Sequence, residues 1–161
     1  MMNDSEATIN YIFGSIFALS NRLQKLGDKL DDYMTMKQWM LIAVITQSEE
    51  QKLTIGEAAA IIGTSHQNVK KMALLLKQQG FLDLAKHPDD GRATVLSLTE
   101  HCVKYFAKRE RTEAAFLGNV FQGFDIDTLS GLSNGLRLLE RNIETMEKRG
   151  SGRISETGTV I

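Results

Sequence analysis

A cluster of polar and basic side chains at residues 66–71 is the part of this sequence best suited to chemistry with another molecule. Its members are His66, Gln67, Asn68, Lys70 and Lys71. Glutamine and asparagine can pair bidentately with adenine, whereas lysine and histidine can reach guanine or a phosphate. An ordinary solvated helix face has a similar composition, so the elements that carry these side chains must decide between the two interpretations.

A first capping box, Thr35 with Gln38, begins a helix that is apolar on most sides and is expected to be buried. Residues 48–52 form a polar connection from this helix to the region that follows.

Two further capping boxes predict that the cluster lies on the second of two short helices. Thr54 with Glu57 begins the first helix, because each side chain satisfies a free backbone N–H of the first turn. Gly63 ends it, since glycine readily adopts the left-handed conformation that closes a helix. Thr64 with Gln67 begins the second helix at once. Two helices joined by so short a turn cross steeply, as in a helix-turn-helix.

The second predicted helix, about residues 65–79, is two-faced at the α-helical period. Its inner stripe consists of Val69, Met72, Ala73 and Leu76. Its outer face carries the polar cluster together with Gln78, and Leu74 also points outward. An exposed leucine is poorly placed in water, but it would suit thymine methyl groups or a neighbouring loop.

Two extended runs, residues 81–86 and 94–98, predict a β-hairpin with a mobile tip, because Pro88 and Gly91 lie between them. Arg92 lies in this loop, where its guanidinium could enter a minor groove and benefit from the negative potential there. Asp90 could hold that side chain extended. A loop ion pair of Arg92 with Asp89 or Asp90 is the plainer alternative, and the two interpretations are compatible.

The chain from residue 35 to residue 106 resembles the MarR family of bacterial transcriptional regulators. The matching positions are residues 35–45, 53–54, 63–65, 69–71, 80–82, Pro88, Asp90, Arg92 and residues 98–99. The resemblance implies a winged helix-turn-helix homodimer that binds a palindromic operator. It places the second helix in the major groove and the wing, with Asp90 and Arg92, in the minor groove.

Two positions depart from the family pattern. Gly91 stands where the family often has a second arginine, and Lys71 occupies a common arginine position of the recognition helix. Lysine replaces a bidentate fork with a point charge. Both departures bear on the affinity for DNA rather than on the fold.

Two apolar seams, rows of apolar residues with alternating spacings of three and four, flank this region. Rows of this kind pack against a partner helix along their length. The first consists of Ile9, Ile12, Ile16, Leu19, Leu23, Leu26 and Leu30. The second consists of Leu129, Leu132, Leu136, Leu139, Ile143 and Met146. The seams could close on each other within one chain or on their copies across a two-fold axis, and the family resemblance favours the copies.

We therefore expect a mainly α fold with a small β-hairpin wing, an α+β winged helix-turn-helix with dimerisation helices at both ends. Residues 1–34 would form an N-terminal dimerisation helix and residues 35–98 the DNA-binding domain. Residues 99–149 would supply a strut and the C-terminal dimerisation helices. Residues 150–161 show no periodicity and are expected to form a flexible tail.

Four aromatic residues are candidates for an effector pocket between the dimerisation helices and the DNA-binding head, as the family often has. They are Tyr11, Phe17, Trp39 and Tyr105. Such a pocket would take a small aromatic or amphipathic molecule. The alternative is that these side chains are ordinary core.

Composition excludes several other classes of protein. A net charge of −1 argues against indiscriminate coating of nucleic acid, although residues 65–92 hold five cations and three anions. We expect no membrane span, because no run approaches the ~20 apolar residues required. A start without the basic residues of a secretion signal predicts a cytoplasmic location. No P-loop, nucleophile elbow or metal-ligand spacing appears, so we expect no enzyme activity, cofactor or metal.

The sequence thus predicts a sequence-specific DNA-binding transcriptional repressor that acts as a homodimer and is released by a small-molecule effector. The alternative is a helical protein-interaction module whose winged-helix head no longer binds DNA. The low local charge excess and Gly91 are the features in its favour.

Overall fold

The computed structural model describes residues 3–149 of the chain. This range contains six α-helices and three strands. In chain order they are α1 (Asp4–Gly27), α2 (Met36–Gln47), β1 (Lys52–Thr54), α3 (Ile55–Ile62), α4 (His66–Gln78), β2 (Leu82–Lys86), β3 (Thr94–Leu98), α5 (Glu100–Val120) and α6 (Ile126–Lys148). The expected mainly helical fold with a small β wing is confirmed. The tail predicted at residues 150–161 lies outside the described residues.

Within the described residues the chain divides into two compact units, one that ends at Arg109 and one that begins at Glu110. The first unit holds the sheet and a hydrophobic core. At its centre lies α2, whose Leu41 and Ile45 are completely buried, as expected for a helix that is apolar on most sides. The core is completed from α4 by Leu76, from β3 by Leu96 and from α5 by Cys102.

The first two predicted capping boxes are present. In α3 the Thr54 hydroxyl accepts the Glu57 N–H at 3.2 Å, and the Glu57 carboxylate accepts the Thr54 N–H at 2.7 Å. The same reciprocal pattern joins Thr35 and Gln38 at the start of α2. Each box satisfies two backbone donors that the helix leaves unpaired.

The third box was placed one residue too early. Ser65 caps α4, and its hydroxyl accepts the Asn68 N–H at 3.2 Å. Thr64 still belongs to the end of α3, because its N–H donates to the Ala59 carbonyl at 3.0 Å past the left-handed Gly63. This is the Schellman closure, and it moves the cap of the next helix on by one position.

The predicted hairpin is confirmed as β2 and β3, antiparallel from the Leu82–Leu98 pair to the Lys86–Thr94 pair. A third strand was missed. Residues 48–52 were interpreted as a polar connection, but β1 pairs with β3 in the register Leu53 to Leu96 and gives the sheet order β1-β3-β2. A strand of three residues gives no periodic signal, and its partner lies more than forty residues further along the chain.

The second unit contains the end of α5 and the whole of α6. Helix α6 begins at Ile126, and Asp125 caps it, because the Asp125 carboxylate accepts the Thr128 N–H at 2.8 Å. The predicted seam of this helix is exposed along its length. An open apolar groove of about 570 Å³ lies beside it, and its walls include Phe121, Leu132 and Leu136.

Candidate nucleic-acid interface

Helix α4 separates its apolar and polar side chains as the sequence predicted. Val69, Ala73 and Leu76 are completely buried against the core of the first unit. All five members of the polar cluster, His66, Gln67, Asn68, Lys70 and Lys71, are exposed on the other side of the helix. Burial of the inner stripe fixes the rotation of α4, so packing against the core holds the cluster outward.

The N-terminal end of α4 is suited to negative charge. Its first turn contains no acidic residue, while His66 and Gln67 occupy it. The free N–H groups and the helix dipole at such an end favour a phosphate. One turn on, Lys70 and Lys71 form no ion pair with any acid in residues 3–149.

Asn68 is less available than the other members of the cluster. Its side-chain amide donates to the Thr64 hydroxyl at 3.2 Å, and its backbone N–H is taken by the Ser65 cap. The side-chain oxygen remains for a ligand. Bidentate pairing of Asn68 with adenine would therefore require this local bond to break.

Hydrogen bonds within the loop connect the residues of the hairpin tip. The Nδ1 atom of His87 accepts the backbone N–H groups of Asp89 and Asp90, both at 3.2 Å. Asp90 in turn accepts the backbone N–H of Arg92 at 3.0 Å. The sequence had not assigned a role to His87, although its place just before Pro88 was a usable signal.

Asp90 therefore positions Arg92 differently from our expectation. The carboxylate engages the backbone of Arg92 and not its guanidinium, so it shapes the turn as an Asx motif does. The Arg92 side chain is exposed and forms no ion pair with any acid of the described range. Its charge is consequently available to a partner.

The wing and α4 are joined through a short, fully bonded corner. The Phe81 N–H donates to the Leu76 carbonyl at 2.9 Å, and Gly80 adopts a left-handed conformation with φ of 79°. The Thr99 hydroxyl donates to the Gly80 carbonyl at 2.6 Å. These bonds fix the point from which β2 leaves the helix.

The connection between α1 and α2, residues 28–35, contacts the C-terminal end of α4. The sequence did not indicate this contact. The Gln79 side-chain amide donates to the Tyr33 carbonyl at 2.9 Å. In the same connection the Asp31 carboxylate accepts the Tyr105 hydroxyl at 2.5 Å and lies 3.6 Å from Nε of Arg109. Burial, together with the bond to Asp31, raises the pKa of Tyr105 to about 12.

The four predicted effector residues lie in two kinds of environment. Tyr11 and Phe17 are exposed on α1, at 76% and 60% of their full accessible areas. Trp39 and Tyr105 are half-buried and pack against the core of the first unit. The effector pocket therefore stays a prediction.

A helix-turn-helix followed by an antiparallel hairpin, with the polar face of the second helix exposed, defines a winged-helix protein. Residues 34–93 match the model of the MarR family. This match and the architecture above confirm the resemblance to the MarR family of DNA-binding winged-helix transcriptional regulators that the sequence had indicated.

Individual relatives are distant in sequence. The HTH-type transcriptional repressor IacR of Pseudomonas putida is 21% identical over 127 residues, which are 79% of this chain and 74% of the relative. The MarR family regulator Sco3205 of Streptomyces coelicolor, solved in complex with DNA, has a TM-score of 0.75 at 15% identity and covers 89% of this chain and 94% of its own. The PcaV regulator of the same organism, solved in complex with its natural ligand, has a TM-score of 0.63 at 18% identity. The match covers 76% of this chain and 89% of the PcaV chain.

Regulators of this family are non-enzymatic DNA-binding proteins. Within residues 3–149, none of the helices combines the length and the apolar character needed to cross a membrane.

Proposed function

We propose that this protein is a transcriptional repressor that binds a palindromic operator as a homodimer. In this proposal α4 enters the major groove, where His66, Gln67, Asn68, Lys70 and Lys71 contact bases and phosphates. Arg92, whose backbone is positioned by Asp90, enters the adjacent minor groove. Residues 35–98 act as the DNA-binding domain.

The observation that carries the proposal is the fixed rotation of α4. Val69, Ala73 and Leu76 are fully buried on one side, so Gln67 and Lys71 must face away from the core. Lys70, Lys71 and Arg92 have no intramolecular acid to neutralise them within the described residues. Unpaired cations around an exposed polar helix are the arrangement that releases counterions when it meets a phosphate backbone.

The exposed seams support a homodimer. Helix α1 leaves Ile9, Ile12 and Ile16 at least 41% exposed, and α6 leaves Leu132, Leu136 and Ile143 at least 43% exposed. Apolar rows of this length destabilise a chain that leaves them in water, and a second copy would cover them. We assign residues 1–34 and 99–149 to that contact. Two heads one helical turn apart would then read two half-sites.

Release by an effector is part of the proposal. A small aromatic or amphipathic molecule would bind near Tyr11, Phe17, Trp39 and Tyr105. It would act by favouring a head spacing that the operator does not match. The support is the solved PcaV relative, which carries its natural ligand. A cytoplasmic location follows from the same proposal, because its DNA target is there.

Fluorescence anisotropy with labelled DNA from the region flanking the protein's own gene tests this function at two salt concentrations. We expect Lys71→Ala and Arg92→Ala each to weaken binding. Each should also lower the salt dependence by about one counterion, because each removes one phosphate or groove contact. Lys104→Ala is the matched control, since the Lys104 amine already pairs with Glu100 at 2.6 Å.

If the Lys71→Ala and Arg92→Ala double substitution leaves the affinity for DNA unchanged, the proposed DNA-binding surface is wrong. That result would favour the protein-interaction interpretation of the head. Sedimentation at the same concentrations tests the homodimer separately: a monomer at the concentration that saturates the DNA would refute the two-headed mechanism.

A further inference from the structure

Two adjacent leucines lie on the outer face of α4, in its third turn. Leu74 and Leu75 are each 45% exposed, while Leu76 beside them is completely buried. Both exposed leucines lie between Lys71 and Gln78 on the same face, three or four residues from each. Side chains at that spacing are neighbours on a helix surface. The sequence pattern had singled out Leu74 alone.

Cations surround this leucine pair. Lys71 precedes it by one turn, Lys70 lies one turn before Leu74, and Lys77 follows Leu74 by three residues. The polar part of the surface therefore suits a polyanion. Single exposed leucines need no explanation, but an apolar pair set among lysines that form no ion pair with any acid of residues 3–149 does, because each lysine is strongly hydrated.

A protein partner is the less suitable occupant. Stable protein interfaces bury roughly 800 Å² on each side, which is far more than two half-exposed leucines can supply. In the major groove, by contrast, the exposed apolar group is the C5 methyl of thymine, and aliphatic side chains contact it directly. A surface that combines lysines with a small apolar patch matches thymine-containing duplex DNA.

We propose that Leu74 and Leu75 form a contact site for thymine methyl groups, and that each half-site of the operator carries thymine opposite the third turn of α4. This inference rests on the proposed function and adds the base identity that the surface selects. Gln67, about two turns before the leucines, would read an adenine in the same half-site. The leucine pair thus supplies specificity, while the lysines supply affinity.

The test begins with selection of bound sequences from random duplexes by the wild-type protein. In the preferred duplex, each thymine is then replaced in turn by deoxyuridine, which removes only the methyl group. We expect at least one position in each half-site where this change weakens binding about fourfold, the effect of losing one buried methyl. Replacing thymines outside the footprint by deoxyuridine should leave the affinity unchanged.

Leu74→Ala and Leu75→Ala, singly and together, complete the experiment. We expect the double variant to bind the thymine and deoxyuridine duplexes equally, because the apolar partner of the methyl is gone. Both positions are exposed and alanine is the best helix former, so the fold should persist, and the circular dichroism melt checks this. Ile61→Ala is the matched control: Ile61 is 59% exposed but lies on α3.

The outcomes are distinct. Equal affinity of the wild type for every deoxyuridine duplex would overturn the inference while leaving the proposed function intact. Unchanged discrimination in the double variant, or its loss in Ile61→Ala, would likewise overturn it. Failure to select any sequence would instead refute the proposed function, and the inference with it.

Discussion

Replacing Asp31 by alanine should destabilise the first unit, because this side chain joins the connection between α1 and α2 to α5. Its side chain is only 9% exposed and accepts two hydrogen bonds, from the Tyr33 N–H at 2.8 Å and from the Tyr105 hydroxyl at 2.5 Å. It also lies 3.6 Å from Nε of Arg109. The substitution leaves all three groups without their common partner.

The expected decrease in the free energy of unfolding follows from these contacts. A hydrogen bond to a charged group contributes roughly 1.5–3 kcal/mol, and unpaired buried donors add a desolvation cost. Two features reduce the sum: Arg109 remains 21% exposed, so water can reach it, and it keeps its bond to the Leu30 carbonyl at 3.1 Å. We therefore expect Asp31→Ala to lower the free energy of unfolding by about 2–4 kcal/mol.

Urea unfolding at a fixed protein concentration measures this change. Asp32→Ala is the matched control, because Asp32 is the exposed neighbour and should cost less than about 0.5 kcal/mol. Tyr105→Phe, which removes only the hydroxyl, should cost about 1 kcal/mol. If Asp31→Ala lowers the free energy of unfolding by less than about 1 kcal/mol, or by no more than Asp32→Ala does, Asp31 does not stabilise the connection in the way described.

Three further predictions concern single residues. Burial raises the pKa of Tyr105 to about 12 from 10.0, so the unfolded chain loses the hydroxyl proton first as the pH rises. The contribution of this hydroxyl to the free energy of unfolding should therefore fall between pH 10 and pH 12. The difference in urea midpoint between wild type and Tyr105→Phe should narrow over the same range. Burial raises the pKa of the Cys102 thiol to about 11, so a thiol reagent at pH 8 should label it only after denaturation, and rapid labelling of the native protein would contradict this. Gly63→Ala should cost about 1 kcal/mol because Gly63 has φ of 72°, whereas Gly91→Ala, at an open position, should change the urea midpoint little.

The parts of the fold that the sequence predicted depend on contacts within a few residues. The caps of α2 and α3 join residues three positions apart, and the hairpin depends on a tight turn between two short runs. The inner and outer faces of α4 follow from helical periodicity alone. The cap of α4 was missed by one residue because Thr64 is shared with the end of the preceding helix.

The candidate site was predicted as a set of residues and not as an arrangement. Periodicity placed Gln67 and Lys71 outward, but it could not reveal that Asn68 bonds to Thr64 or that Asp90 engages the backbone of Arg92. Those bonds depend on side-chain rotamers and on the exact course of a turn. The role of His87 at the hairpin tip has the same origin.

By itself, the sequence determined the helices, the β2–β3 hairpin and the apolar side of α4, because hydrogen bonds and side-chain periodicity act over three or four residues. Only the tertiary structure decided what lies beside them. The pairing of β1 with β3, the bond of Tyr105 to Asp31 and that of Gln79 to Tyr33 join positions more than forty residues apart. Such partners leave no periodic trace in the chain, since they are selected by how the buried faces pack and by which polar groups that packing leaves to be satisfied.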